Sequence, residues 1–215
     1  MAKSNFLIES INLSFELKCL EVLIKSYSTS KILNKVSSDW EEKTFSSHLV
    51  SLMKDCEMAL KYNLTITKEE ELEDKDIDNG LKSPKVANPI DIRFHNIWQN
   101  LRLDYNIEAK NISSTEWKKS NGKKVNASQQ QTEYITKGIE RFLTGHFKDK
   151  NGCMLGYVVN GKLDDLLLKI NNKIELQKNS SEKIDFKELI INNHKIYESS
   201  HSQGNIKHLF FDYSN

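Results

Sequence analysis

Three residues within the segment NPIDIRFHNIWQNLRLDYNIEAKNI, which spans 88–112, have types and spacing that could do chemistry: Asp91, Glu108 and Lys110. Two carboxylates brought to one point repel, and without a cation their pKa values rise or the side chains splay apart. A hard divalent ion removes that penalty. Mg2+ typically uses one or two protein carboxylates and keeps waters and substrate phosphate oxygens as its other ligands. Lys110, two residues beyond Glu108 and on the same side of an extended strand, would stand beside such an ion. There it could orient a water, favour its deprotonation and offset the charge that develops on a phosphate under attack. The backbone carbonyl of Ala109 is a further candidate ligand.

The elements that must position these groups are two strands. Ile90, Ile92 and Phe94 alternate with Asp91, Arg93 and His95; Leu101, Leu103, Tyr105, Ile107 and Ala109 alternate with Arg102, Asp104, Asn106, Glu108 and Lys110. Strict period-two alternation predicts strands with one face buried and one reserved for polar groups, so Asp91, Glu108 and Lys110 can share a surface. Asp104 competes as an acid but lies in the same strand as Glu108, which favours Asp91 as the partner. Arg93 and His95 share the presumed face of Asp91, for charge balance or for phosphate contact. A cross-strand salt bridge is the simpler explanation of a Glu-x-Lys pattern taken alone.

Around these strands the spacing predicts a helix over about 6 to 27 with Leu13, Leu17, Leu20 and Ile24 on one stripe, packed outside the core. A second helix is capped by Asp39, carries Glu41 and Glu42 in its first turn and shows Phe45, Leu49, Leu52, Cys56 and Leu60 on one side. YNLTIT (62–67) reads as a strand and the charged stretch 68–87 as a surface loop. After the alternating strands comes a basic, polar insertion with Asn121-Gly122 as its turn. Next is a helix over about 126 to 145 with Tyr134, Ile135, Ile139, Phe142 and Leu143 on its apolar side. CMLGYVV (153–159) has the composition of a covered central strand. A helix through GKLDDLLLKINNKI and a hairpin joined around Gly204 complete the order.

The aspartate followed after a strand-length interval by Glu108-Ala109-Lys110 resembles the PD-(D/E)XK nuclease superfamily, which includes restriction endonucleases and DNA-repair nucleases. Pro89 stands two positions before Asp91 rather than directly before it. The resemblance extends to Gln130-x-x-x-Tyr134 and to an acid on the helix before the first core strand, Glu42 or Glu41. TEYITKGIERFLTGHF, GCMLGYV and the closing YESSHS and HLFFDYS are similar to small bacterial restriction-type or phage-defence nucleases. It implies an α/β fold with a restriction endonuclease-like αβββαβ core over about 39–175, a mixed central sheet flanked by helices, an N-terminal helical extension over 1–38 and a C-terminal hairpin over about 194–214. It further implies a Mg2+-dependent endonuclease, with Mn2+ able to substitute, acting on DNA. Asp91, Glu108, Ala109 and Glu42 would hold the metal and Lys110 and Gln130 would assist. Arg93 and Tyr134 would contact the nucleic acid, and Lys118, Lys119, Lys123 and Lys124, which surround the turn after the metal motif, would either follow its backbone or form a solvated loop.

The bulk properties set limits. The 215 residues suit one domain with appendages, and 38% hydrophobic content supports a core. Lys and Arg number 31 against 30 Asp and Glu, so any polyanion surface must come from local clustering. Cys19, Cys56 and Cys153 lack metal-ligand spacing and predict free thiols in a reducing compartment, hence a cytoplasmic protein with no membrane span. The clustered His194, His201 and His208 lack cysteine partners for zinc and are assigned to structure. No GxxxxGK[ST] loop is present, so translocation would need a separate ATPase or helicase, and a double-strand break would suit a homodimer. Two other classes compete: a catalytically idle nucleic-acid-binding or scaffold subunit of the same fold, and a sugar- or small-molecule-binding α/β domain.

Overall fold

The computed structural model describes residues 2–70, 89–144, 152–177 and 182–214. The expected loop over 68–87 lies outside the described residues from position 71 onward; 68–70 belong to a strand.

The chain opens with α1 (Ala2–Leu33), longer than the apolar spacing predicts. Phe15, Cys19, Val22 and Leu23 recur at helical spacing and are buried with Leu20 and Ile24, whereas Leu13 is exposed. The stripe is therefore rotated from the predicted one. These residues share one core with the inner face of the sheet, so α1 is integral to the core and not packed outside it. Next come α2 (Glu42–Lys54) and α3 (Glu57–Lys61). Phe45, Leu49 and Met53 form the buried stripe of α2, but the helix ends before Cys56, and Leu60 is exposed. Asp39 does not cap it; Glu41 occupies that position without a side-chain bond, and Asp39 instead accepts from the Ser120 backbone and hydroxyl.

Seven strands form one mixed sheet: β1 (Thr65–Glu70), β2 (Ile90–Trp98), β3 (Leu101–Ser113), β6 (Gly152–Asn160), β7 (Asp185–Ile191), β8 (His194–His201) and β9 (Gly204–Asp212), ordered β1-β2-β3-β6-β9-β8-β7. β4 (Trp117–Lys118) and β5 (Lys124–Val125) make a small separate ribbon around Asn121-Gly122. β6 pairs in parallel with both β3 and β9; the remaining neighbours are antiparallel. Its unbroken apolar run is buried from Gly152 to Val159, as expected of a parallel strand covered on both faces. α1, α2 and α3 cover one face. The other is covered by α4 (Ala127–Tyr134), which passes through a π-helical turn, Ile135–Ile139, into α5 (Glu140–Leu143), and by α6 (Leu163–Gln177).

The expected hairpin joined around Gly204 is present as β8 and β9, its ladder closing at His201 opposite Gly204, and the C-terminal part adds one strand to it. The result is a three-stranded meander whose last strand, β9, pairs in parallel with the central β6. β7 is the added strand, turned into β8 by Asn192 and Asn193, both at positive φ (48° and 63°), as a two-residue hairpin turn requires. No described helix is long and apolar enough to cross a membrane. Cys19, Cys56 and Cys153 are free thiols, the first and last buried.

Candidate active site

The β2–β3 ladder runs from Trp98 opposite Leu101 to Ile92 opposite Ile107. One residue farther along β2, Asp91 Oδ2 accepts a hydrogen bond from the Ala109 backbone N–H at 2.7 Å, so the carboxylate is anchored to the strand that carries the other two groups. Alternation along β3 puts Ile107 and Ala109 in the α1/α2 core and turns Glu108 and Lys110 to the opposite face.

The Lys110 ammonium is the centre of the arrangement. Its Nζ lies 2.6 Å from Glu108 Oε1, 2.7 Å from the Ala109 carbonyl, 3.2 Å from Glu42 Oε1 and 3.9 Å from Asp91 Oδ2. Four oxygens from β2, β3 and the start of α2 thus converge on one cationic point. Glu42 also accepts from the Asn111 backbone N–H at 3.3 Å, while Glu41 points to solvent and pairs with Lys119 at 2.6 Å. Of the two candidate acids on the helix, Glu42 is the one at the cluster.

Arg141, on α5, is a member that the sequence reading misses. Its Nη1 sits 2.6 and 2.7 Å from the two oxygens of Glu108, whose side chain is fully buried. Arg141 follows Tyr134 by seven residues, with the π turn Ile135–Ile139 between them. That turn is a rare local form that often accompanies functional positions.

Burial dominates the electrostatics. It raises Asp91 from 3.8 to about 6, helped by the negative charge of Glu108 and opposed by Lys110. Burial likewise raises Glu42, with Lys110 pulling it down, and raises Glu108 against the pull of Lys110 and Arg141. For Lys110, burial alone favours the neutral amine, but Glu108, Glu42 and Asp91 together hold the ammonium above its ordinary value. Three carboxylates face two cations, and the cations offset the burial of the carboxylates only in part.

The remaining predicted residues divide. Gln130 lies at the cleft, its Oε1 accepting from the Ser113 hydroxyl at 2.6 Å; Asn126 caps α4 through the Gln129 N–H. Lys118, Lys123 and Lys124 are exposed on the β4–β5 ribbon. Lys119 is not: its ammonium is tied to Glu41 and to the Asp39 carbonyl at 2.9 Å. Arg93 is buried and paired with Asp104 at 3.0 Å, which gives it to charge balance inside the sheet rather than to a nucleic acid. Tyr134 is fully buried and bonded to His208, so it does not reach a nucleic acid either. His194 packs edge-on against Tyr27 and Phe211.

A cleft of about 260 Å³ opens beside the cluster, with Glu42, Lys110, Asn111, Trp117, Lys123 and Gln130 among its walls. Asn111 Oδ1 and Trp117 Nε1 are buried there without hydrogen-bond partners.

No group of three or more His, Cys, Asp and Glu among the described residues is disposed to hold a metal ion. A divalent ion at this cluster would have Asp91, Glu108 and the Ala109 carbonyl to rest on, with Glu42 at the margin and Lys110 and Arg141 already bonded to Glu108. The donors are hard oxygens, two of them from carboxylates, and Mg2+ is a cation that takes such donors and needs no more than one or two protein carboxylates. Comparison with known proteins finds no matching family model, no matching curated protein and no matching solved structure.

Proposed function

We propose that the chain is a Mg2+-dependent nuclease of PD-(D/E)XK type, on a restriction endonuclease-like core, that hydrolyses phosphodiester bonds in DNA. The carrying observation is the convergence of Glu108 Oε1, the Ala109 carbonyl and Asp91 Oδ2 on one cationic point at the edge of a cleft flanked by lysines. A divalent ion held there would supply Lewis-acid polarisation of the phosphate and of the attacking water. Asp91, anchored by the Ala109 N–H, and Glu108, held by Arg141, would present their oxygens without rearranging. Lys110 would stabilise the charge that develops on the phosphate, and Lys123 and Lys124 would position the strand. Defence against foreign DNA is the biological role the resemblance favours, in the cytoplasm, as a homodimer or with a separate ATPase or helicase.

The test incubates the purified protein with plasmid, linear and single-stranded DNA and with RNA, in Mg2+, Mn2+ or EDTA, alongside Glu108→Ala. Cleavage confined to the metal-containing wild type supports the reading. Cleavage that persists in EDTA or in the variant overturns it.

One observation favours a second reading, an idle nucleic-acid-binding subunit: Arg141 engages both oxygens of Glu108, so the cluster is closed by its own cations. Such a module would bind DNA without Mg2+ and cleave nothing, and Lys110→Ala would change no cleavage.

A further inference from the structure

We propose that Lys110 is the resident cation of the carboxylate cluster, and that a divalent ion enters only by displacing its ammonium toward the cleft, with Arg141 staying behind to hold Glu108. This rests on the nuclease reading and adds to it a competition within the chain.

The geometry requires an exchange. An ammonium offers three N–H donors, and those of Lys110 have three acceptors at hydrogen-bond distance: Glu108 Oε1, the Ala109 carbonyl and Glu42 Oε1. Two of the three are atoms the ion would need at about 2.0–2.1 Å. With Nζ already 2.6 and 2.7 Å from them, no second cation fits at the same point. The ion must take the position that the ammonium holds.

The side chain has somewhere to go. Lys110 lines the cleft and its side chain is 13% exposed, so rotation about its long stem carries Nζ toward solvent without disturbing β3. Arg141 reaches Glu108 from the helical layer, and its Nη1 alone lies within hydrogen-bond distance of both carboxylate oxygens. It is a positioning residue: it keeps Glu108 oriented when the ammonium leaves.

Charge points the same way. With Lys110 in place, a divalent ion would set four positive charges against the three carboxylates. With the ammonium moved into the cleft, the excess positive charge lies where a phosphodiester would bring one negative charge. Lys110 then serves in turn as a stopper for the cluster and as a phosphate-facing cation.

The experiment measures Mn2+ binding to the full chain without nucleic acid, by the electron paramagnetic resonance signal of free Mn2+, for wild type and Lys110→Met. Removal of the competitor should tighten binding at least tenfold while cleavage falls. Affinities equal within twofold, or weaker in Lys110→Met, would overturn the proposal even where cleavage is metal-dependent. Absence of Mn2+ binding in both would remove the nuclease reading and this inference with it. In the wild-type chain carrying 13C-labelled lysine, Mg2+ should shift the Lys110 Cε resonance and leave that of Lys118 in place, which keeps the test independent of how Lys110→Met folds. A Lys110 resonance unmoved at saturating Mg2+ counts against displacement.

Discussion

Two buried polar groups of opposite character share one face of the central sheet, separated by a single side chain. Glu108, Met154 and His208 occupy one row across β3, β6 and β9, so Glu108 and His208 stand two strand spacings, about 10 Å, apart. On one side lies the charged cluster of Asp91, Glu108, Lys110, Glu42 and Arg141. On the other a chain runs from Tyr134 Oη to His208 Nδ1 at 2.9 Å, from His208 Nε2 to Ser199 Oγ at 2.8 Å, from Ser199 Oγ to His201 Nε2 at 2.7 Å, and on to Glu182, whose Oε2 lies 3.1 Å from His201 Nδ1. Burial lowers His208 from 6.5 to about 3, with His201 adding to the shift, so its ring is neutral wherever the protein is folded near neutral pH. Hydrogen bonds to both nitrogens of a neutral buried ring fix a core. A buried set of carboxylates pushed toward protonation is under-compensated and calls for a cation. The same sheet thus holds a structural and a candidate functional polar site, told apart by what is buried at the centre of each, a neutral ring in one and carboxylates facing cations in the other.

The largest expected contrast is between removing a charge and removing a hydroxyl. Glu108→Ala leaves Lys110 and Arg141 without their shared acceptor, and breaking a buried ion pair from one side costs about 3–5 kcal/mol. Ser199→Ala removes the hydroxyl between His208 and His201 and costs about 1–2 kcal/mol. Urea denaturation at pH 7 measures both. A Glu108→Ala loss no greater than that of Ser199→Ala would mean that the two regions do not differ as described.

Next in size are opposite pH responses. The folded chain keeps the Asp91 proton up to about 6, whereas the unfolded chain loses it near 3.8. Native Asp91 therefore binds more protons in that window, and its contribution to stability falls as pH rises from 4 to 6. Glu42 and Glu108, also raised, act in the same direction. His208 behaves inversely: the unfolded ring takes a proton below 6.5, the folded ring only near 3, so its contribution is present above 6.5 and is lost as pH falls through that window. Each slope approaches about 1.4 kcal/mol per pH unit between 4 and 6. Asp91→Asn should make stability rise more steeply with pH, and His208→Gln should make it fall. Denaturation at pH 4, 5 and 6 reads both; parallel curves for the two variants would contradict the assignments.

What the sequence made legible follows from periodicity. Alternation in β3 puts Glu108 and Lys110 on one face, because a strand's pleat fixes the side of every residue. Beside Asp91 the β2 alternation breaks, Ile90 packing in the opposite core from Ile92 and Phe94, and the bond from the Ala109 N–H brings the carboxylate to the cluster. Arg141 was hidden because it arrives from a helix 33 residues beyond Glu108, where a charged side chain is ordinarily read as solvent-facing. The π turn between it and Tyr134 breaks the 3.6-residue period that would otherwise have linked the two. β7 was missed because its ladder with β8 shifts register between Phe186 and Leu189, which breaks the alternation; the Asn192-Asn193 pair marked the turn after it. The mixed order of the sheet, with the last strand next to β6, depends on long-range pairing that no local pattern encodes. Tyr134 was assigned to a ligand because its sequence position fits a motif, although its side chain lies wholly beneath the surface.

The smallest effects on stability fall on the lysines of the β4–β5 ribbon, which carry charge at the surface and not in the core. Lys123 and Lys124 are exposed, so Lys123→Ala with Lys124→Ala should change stability by less than about 0.5 kcal/mol. If each meets one phosphate, the double variant should flatten the dependence of log affinity on log salt by about 1.8 for duplex DNA, or about 1.4 for single strands. Lys119 supplies the internal contrast, since its ammonium is held by Glu41 and the Asp39 carbonyl. Lys119→Ala should cost about 1 kcal/mol of stability through the lost hydrogen bonds and leave the salt slope where it was. Fluorescence anisotropy across a salt series separates the two. A flattened slope for Lys119→Ala, with no change for the double variant, would move the nucleic-acid contact off the ribbon's exposed side and toward the base of the cleft.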